Sequence, residues 1–190
     1  NTGKDQSKED YPAYVQFMKD QLSELLTGYG NVRAIWFDGV WDHDSDATPF
    51  DWKLDEVYRH IHNVKPACLI GNNHHLTPFK GEDFQMFERD LPGENNHGWA
   101  DDQTISALPL EMCQTMNTVW GWGERNFDYK SPAEFIETLC LCRRYGANYL
   151  LNVSPDGTGN IPLIQQVFPE GFKILGILLP VILDHGQQFR

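Results

Sequence analysis

The chain has 190 residues, and its 15 Lys and Arg against 27 Asp and Glu give a formal net charge of −12. That charge repels phosphate backbones and anionic membrane surfaces, which argues against nucleic acid or a lipid surface as a partner. The hydrophobic fraction of 41% is enough for the core of one ordinary domain. The many aromatic residues suit a core first, and a site that stacks on sugar rings second.

The four cysteines form no Cys-x-x-Cys pair, and each lies in an apolar run: Cys68, Cys113, Cys140 and Cys142. We therefore expect buried free thiols rather than a metal site or disulfides. The longest apolar run, over 174–183, contains Gly176 and Pro180 and is too short to span a bilayer. Since the first residue is Asn1, we expect a mature or truncated start.

The first predicted unit is a helix followed by a strand. Residues 12–28 place apolar side chains along one stripe, namely Tyr14, Met18, Leu22, Leu25 and Leu26. Residues 32–37 (VRAIWF) follow as a nearly continuous apolar strand, of the kind that is buried on both faces in a parallel sheet. This strand stops at Asp38-Gly39.

The alternation of helix and strand then continues along the chain. Asp51 can cap a helix that extends to Val64, with an inward face of Leu54, Val57, Tyr58 and Ile61. Short strands are predicted over 67–70, before GNNHH, and over 84–87, before Glu88. The remaining predicted elements are a strand over 110–116, a helix over 131–146 opened by a Ser131–Glu134 capping box, a strand over 149–153 and a turn over 154–159.

About five strands that alternate with helices predict an α/β fold with a parallel sheet. In such folds the chemistry lies at the carboxyl ends of the strands, in open sheets and (β/α)₈ barrels alike. A complete barrel needs about 250 residues. The chain is therefore predicted to be an open sheet or part of a barrel.

Two carboxylates follow separate predicted strands. Asp38 can be a turn residue before Gly39, and Glu88 can be a surface partner of Arg89, so neither position alone indicates chemistry. Strand ends of one sheet can, however, face each other across its mouth. Glycoside hydrolysis needs one carboxylate to attack the anomeric carbon and a second, protonated one to donate to the leaving oxygen.

Five segments, in this order, resemble those of glycoside hydrolase family 29, the α-L-fucosidases: YGNVRAIWFDGVWD (29–42), PACLIGNNHH (66–75), GEDFQMFERDLPGE (81–94), LPLEMCQTMNTVWGWG (108–123) and NYLLNVSPDGTGNIP (148–162). The resemblance covers 11–162. It implies a (β/α)₈-like TIM barrel, a retaining mechanism and no metal or organic cofactor. About the C-terminal half to two-thirds of that barrel is expected in this chain.

The resemblance also implies roles for individual residues. Asp38 matches the nucleophile at the end of the fourth barrel strand, and Glu88 matches the best candidate for the acid/base. Glu94 and Glu111 are the alternatives for that second role, whose position varies within the family. The substrate is expected to be a fucosylated oligosaccharide or glycoconjugate.

Four further residues are expected to contact the sugar. Trp41 resembles an aromatic residue beside the sugar, and Trp120 falls where the family places an aromatic ring against the fucose methyl group. An apolar wall suits the methyl of a deoxy sugar. Asn73 and His74 lie where some members have an arginine, which this chain lacks.

Other site types fit the residues less well. Asp42, Asp44 and Asp46 resemble a calcium loop, but Ala47 replaces its glycine and Lys53 its twelfth ligand. The pair His74-His75 has no third zinc ligand at a suitable spacing, and a hydrogen-bonding pair at a strand end is the better interpretation. Residues 156–159 lack the lysine of a phosphate loop, so we predict a turn there.

The chain departs from the family at both ends. The family's first three or so strands have no counterpart before Asn1, and the tail over 163–190 does not resemble the usual closing helix, because Pro169 and Pro180 interrupt it. We predict a partial catalytic domain over 1–162 and an atypical tail. We also expect the isolated polypeptide to be poorly active or inactive, because a partial barrel leaves half a sugar pocket and open strand edges, which invite aggregation.

Three functional hypotheses remain open from the sequence. The first is a retaining exo-α-L-fucosidase, and the second is a non-catalytic sugar-binding or remnant domain of the same fold. The third is a different retaining glycosidase on the same scaffold. Because many relatives are exported, the resemblance implies a secreted, periplasmic or lysosomal location.

Overall fold

The computed structural model describes residues 10–43, 47, 49–100 and 104–166. Its helices are α1 (Tyr11–Gly28), α2 (Leu54–Val64) and α3 (Pro132–Arg144), with a 3-10 helix over Val40–His43. Its strands are β1 (Ala34–Asp38), β2 (Leu69–Asn73), β3 (Gln85–Glu88), β4 (Leu110–Thr115) and β5 (Ala147–Asn152). The predicted α/β class, with five strands in the described part of the chain, is confirmed.

The chain divides into two compact units, Asn1–Glu111 and Met112–Arg190. The division falls within β4, inside the segment 1–162 that we predicted to be one domain. Most of the predicted tail, from 167 onwards, lies outside the described residues, so the predicted boundary at 162 stays a prediction. No helix in the described ranges is long and apolar enough to cross a membrane.

The first unit is organised around a parallel strand pair. β1 and β2 pair in parallel, and the register places Asp38 opposite Asn73 at their carboxyl ends. Helices α1 and α2 pack with these strands in one apolar core formed by Val15, Leu22, Leu26, Val57, Tyr58, Ile61, Cys68 and Ile70. Within the same unit, the Gln85 amide of β3 donates to the Pro109 carbonyl just before β4. The parallel arrangement agrees with the sequence prediction.

Two predicted element boundaries are wrong. β2 does not end at Ile70 but continues through Gly71 and Asn72 to Asn73, because pairing with β1 extends that far. Asp51 does not cap α2, which begins at Leu54 after Lys53 in a left-handed conformation with φ of 57°. The Asp51 carboxylate instead accepts a hydrogen bond from the Lys53 amide at 3.0 Å.

Two burial predictions also need correction. In α1, Tyr14 and Leu25 are exposed, whereas Val15, Leu22 and Leu26 are buried. The predicted stripe was too wide, because a step of 100° per residue places positions 15, 22 and 26 on one face and turns position 14 away. All four cysteines are free, but Cys140 is exposed on the outer side of α3.

The second unit contains α3 and β5, and the predicted capping box is present. The Ser131 hydroxyl accepts from the Glu134 amide at 3.3 Å, and the Glu134 carboxylate accepts from the Ser131 amide at 2.7 Å. Phe135 and Met116 form a small core in this unit. The predicted turn after β5 is confirmed, since Asp156 Oδ1 accepts from the amides of Thr158 and Asn160.

Gly71 allows the chain that leads into β3 to approach β2 closely. A Cβ atom added at this position would lie 2.2 Å from a ring carbon of Phe84. Real Cβ atoms do not come so close to another carbon, so any side chain at position 71 must push the Phe84 ring away. The glycine thus lets β2 and β3 bring their ends together.

We expect Gly71→Ala to destabilise the first unit by about 1–3 kcal/mol, because overpacking forces neighbouring side chains off their rotamers. Urea unfolding followed by circular dichroism measures this change. Gly28→Ala at the end of α1 is the matched control, because its added Cβ meets nothing within 4 Å. Equal stability of the two variants would contradict the close approach.

Candidate active site

Three strands of the first unit end in polar side chains that meet. Asp38 ends β1, Asn73 ends β2 and Glu88 ends β3. The Asn73 side-chain nitrogen donates to Asp38 Oδ1 at 3.2 Å and to Glu88 Oε2 at 2.6 Å. The two sequence-predicted carboxylates therefore accept hydrogen bonds from the same amide nitrogen.

The surroundings shift the pKa values of the two carboxyl groups in opposite directions. Partial burial raises the pKa of Asp38 above its usual value, and the charge of Glu88 adds to this, although the Asn73 hydrogen bond opposes it. Burial would also raise the pKa of Glu88, but hydrogen bonds from His75 and Asn73 outweigh it and leave that pKa below its usual value. Relative to the same groups in water, the surroundings thus favour the protonated form of Asp38 and the ionised form of Glu88.

His75 forms the second contact to Glu88. Its Nε2 lies 3.2 Å from Glu88 Oε2, and its backbone has a φ of 60°, a strained conformation for a residue with a Cβ. The imidazole stacks with the indole of Trp41 and with that of Trp99, at centroid distances of 5.6 Å and 5.8 Å. The three rings form a continuous aromatic wall beside the carboxylate.

The carboxylate Glu88 and this wall border an open hollow of about 630 Å³. Its lining residues are Val40, Trp41, His74, His75, Leu76, Glu88 and Trp99. Aromatic and aliphatic walls with a few polar groups are typical of sites for small organic ligands. The hollow is large enough for a monosaccharide ring.

His74 contacts the hollow but directs its polar atoms inward. Its Nδ1 accepts a hydrogen bond from the Leu76 amide at 3.1 Å, so in the neutral ring Nε2 carries the proton. That nitrogen lies 3.1 Å from both carboxylate oxygens of the buried Glu82. Glu82 also accepts from the Tyr58 hydroxyl at 2.9 Å. Both ring nitrogens of His74 are thus engaged, and its predicted contact with substrate stays a prediction.

The other predicted residues are distributed over both units. Trp41 lines the hollow, whereas Trp120 lies in the second unit with an exposed ring. Glu94 accepts a hydrogen bond from Asn96 at 2.9 Å, and Glu111 accepts from the Trp36 indole at 3.1 Å. The roles of these residues are not tested by their positions.

Trp99 was not predicted from the sequence to be a site residue, and His75 was not assigned to a site. Trp99 lies in a polar loop, and nothing in the residues around it indicates that the loop turns back toward β2. His97 braces this loop, because its Nδ1 lies 2.9 Å from the carboxylate of the buried Asp90. His75 was recognisable as a strand-end histidine, but the stacking with two indoles had no sequence signal.

In the described ranges, no three His, Cys, Asp or Glu side chains are placed to hold a metal ion together. Asp44 and Asp46 of the calcium-like pattern lie outside the described residues. The absence of a metal or organic cofactor therefore stays a prediction.

Comparison with known proteins identifies relatives of one kind. A model of the family described as Alpha-L-fucosidase matches residues 1–170. A putative alpha-L-fucosidase of Caenorhabditis elegans is 27% identical over 164 residues, which cover 82% of this chain and 30% of that protein. The alpha-L-fucosidase of Dictyostelium discoideum is 24% identical over 182 residues, covering 85% of this chain and 33% of that protein. The chain thus spans about a third of the length of these relatives.

Solved structures give the same result. Alpha-L-fucosidase isoenzyme 1 from Paenibacillus thiaminolyticus is 31% identical, with a TM-score of 0.71 over 93% of this chain and 42% of that one. Alpha-L-fucosidase AlfC from Lactobacillus casei, solved with its alpha-L-fucose product, is 21% identical, with a TM-score of 0.65 over 87% of this chain and 46% of that one. At 21% identity, the similarity to AlfC shows a shared fold.

We expect Asp38→Asn to stabilise the folded chain by less than about 1 kcal/mol near neutral pH. Because the pKa of Asp38 is raised, the folded state binds this proton more tightly than the unfolded chain does. Stability is therefore lost as the pH rises from the unfolded pKa through the folded one, and the gain from Asn vanishes below that interval.

Urea unfolding of the wild type and the variant at about pH 7 and about pH 3 measures the difference. Asp20→Asn, on the exposed side of α1, is the control, and we expect it to change stability by less than about 0.5 kcal/mol at both values. A gain from Asp38→Asn that is equally large at the acidic pH would contradict the burial of this charge.

Proposed function

The chain belongs to the α-L-fucosidase family, and from this premise we propose that Asp38 and Glu88 hydrolyse α-L-fucosides with retention of configuration. The proposed setting is part of a (β/α)₈ barrel, with the carboxyl ends of β1, β2 and β3 at its mouth. One observation carries the assignment: a single Asn73 nitrogen contacts both carboxylates. The substrates named for the relatives are those of the relatives. Because this chain spans only part of their length, its activity as a fucosidase is a proposal.

The separation of the two acids supports retention. The two oxygens that share the Asn73 nitrogen are at most about 6 Å apart, since neither is more than 3.2 Å from that nitrogen. Retaining glycosidases hold their carboxyl groups about 5–5.5 Å apart, whereas inverting enzymes leave about 6.5–9.5 Å for a water molecule. The shared amide therefore favours direct attack by a carboxylate over attack by water.

The proposed reaction has two steps. In the first, a carboxylate oxygen of Asp38 bonds to the anomeric carbon, the bond to the leaving oxygen breaks, and Glu88 gives that oxygen its proton. In the second, water attacks the same carbon, the ester bond to Asp38 breaks, and Glu88 accepts a proton from the water. The carboxylates return to their starting states, and α-L-fucose is released.

The first step needs the proton on Glu88, although the surroundings of the free site lower the pKa of Glu88 and raise that of Asp38. Two carboxyl groups this close titrate as a pair, and the pair with one proton is the reactive form. Positive charge that develops at the anomeric carbon beside Asp38 stabilises its anion. The transition state thereby favours the form of the pair in which Glu88 holds the proton.

The walls of the hollow suit a deoxy sugar. Val40 and Leu76 offer aliphatic surface for a methyl group, and the indoles of Trp41 and Trp99 offer faces on which a sugar ring can stack. Trp120 remains the residue that the resemblance assigns to the fucose methyl. We propose a fucosylated oligosaccharide or glycoconjugate as the substrate.

A sugar-binding domain without catalysis is the second candidate, since the aromatic hollow alone would hold a sugar. The two candidates differ in what Glu88 does. As an acid it matters most when the leaving group is poor, because a good leaving group departs without a proton.

Relative to the turnover of the unmodified chain, which we expect to be low because the barrel is partial, we expect Glu88→Gln to lower kcat/KM by roughly 10²–10⁴-fold for an alkyl α-L-fucoside and by less than about tenfold for a dinitrophenyl α-L-fucoside. Glu94→Gln and Glu111→Gln are the matched comparisons, with losses that do not depend on the leaving group. Asp38→Ala should abolish turnover of both substrates.

Kinetic assays with the two fucosides, together with calorimetric titration of fucose, separate the candidates. Leaving-group dependence in Glu94→Gln or Glu111→Gln instead of Glu88→Gln would move the acid/base role to that residue. Fucose binding without turnover of either fucoside would favour the sugar-binding domain.

A further inference from the structure

Asn73 is the most constrained side chain of the site. The residue is only 1% exposed, and it ends the strand that lies beside β1. Its side-chain nitrogen has two hydrogens, and its two hydrogen bonds lead to Asp38 and to Glu88. Neither hydrogen is therefore left over for a sugar hydroxyl, which separates this residue from the substrate contact that the sequence predicts.

The orientation of the amide follows from these two neighbours. If the group were reversed, its oxygen would face two carboxylates, and no ionised form of the pair would tolerate that contact. In the observed orientation, Asn73 Oδ1 is buried and has no hydrogen-bond partner among the described residues. Leaving a buried amide oxygen without a partner lowers stability. The two carboxylates hold the amide in place despite this cost.

We propose that Asn73 is a positioning residue that donates to whichever of Asp38 and Glu88 carries the negative charge, so that one amide supports both steps of the double displacement. The inference rests on the proposed function. It assigns Asn73 a part that the family resemblance does not give it.

The reaction moves negative charge between the two acids. Before the first step Asp38 is the anion and Glu88 holds the proton, whereas in the covalent intermediate Asp38 is an ester and Glu88 is the anion. A hydrogen bond to an ionised acceptor is about twice as strong as one to a neutral acceptor. Because Asn73 already contacts both groups, it can follow the charge without moving.

Other groups near the pair also stabilise its anions. His75 faces both carboxylates, Arg89 favours ionised Glu88, and the Gly39 amide favours ionised Asp38. The charge of Glu88 in turn disfavours the ionised form of Asp38. Asn73 donates a hydrogen bond to each of the two carboxylates. Its removal should therefore change both titrations together.

The test is Asn73→Leu, which keeps the volume of the side chain and removes its donors. Without the donor the ionised form of each carboxyl is less stable, so the apparent pKa values of Asp38 and Glu88 should both rise by at least about 0.5. Carboxyl-carbon NMR titration of the 190-residue chain measures this without any turnover. Where turnover is present, both limbs of the kcat/KM profile should move to higher pH, and kcat should fall by about 10–100-fold.

Asn72→Leu is the matched control, because the neighbouring Asn72 is also buried but donates to the Tyr58 hydroxyl at 2.8 Å. If Asn73→Leu does not fold, Asn73→Ser replaces it as the test variant. Unchanged pKa values of Asp38 and Glu88 in Asn73→Leu, or equal pKa shifts in Asn72→Leu, would overturn the role of Asn73. A raised KM with an unmoved pH profile would overturn it in favour of a sugar contact. If Asn73→Leu shifts the pKa values of both carboxyl groups but the wild-type chain shows no turnover, the result would count against the proposed function alone.

Discussion

The hydrogen bonds from one amide nitrogen to two carboxylates define this site, and they depend on the register of a parallel strand pair. Asn73 lies opposite Asp38 because β2 continues as far as β1 does, and Gly71 lets the chain before β3 approach closely enough to add Glu88. Two like charges would otherwise move apart. A buried amide that donates to both makes their proximity stable, and the aromatic stack around His75 closes one side of the same group.

Much of the first unit was predictable, because simple periodicity decides it. The apolar run before Asp38 predicts a strand buried in a parallel sheet, and the rule that strand ends share one edge predicts that Asp38 and Glu88 approach each other. The predicted end of β2 was wrong, because Gly and Asn are uncommon in strands and their local preferences favour a turn. Pairing with β1 overrides these preferences, and that extension places Asn73 between the acids.

The parts of the site that the sequence did not predict depend on long-range contacts. Trp99 reaches His75 from a loop 24 positions later in the chain, and the loop is held by the buried Asp90. No local sequence pattern indicates that the loop containing Trp99 folds back onto His75. The inward orientation of His74 was also not predictable. It depends on a contact with the buried Glu82, and a glutamate is expected from the sequence to lie at the surface. Family resemblance supplied the chemistry of Asp38 and Glu88, and geometry supplied their partners.

The central claim is that Asp38 and Glu88, which accept hydrogen bonds from the same Asn73 nitrogen, act on the same anomeric carbon. Covalent trapping with a 2-deoxy-2-fluoro-α-L-fucosyl donor that carries a good leaving group tests it most directly, followed by peptide mass spectrometry of the chain. We expect one fucosyl label, on Asp38, that accumulates because the fluorine slows its hydrolysis. A label on Glu88 or on another carboxylate, or no label while the sugar demonstrably binds, would contradict the account.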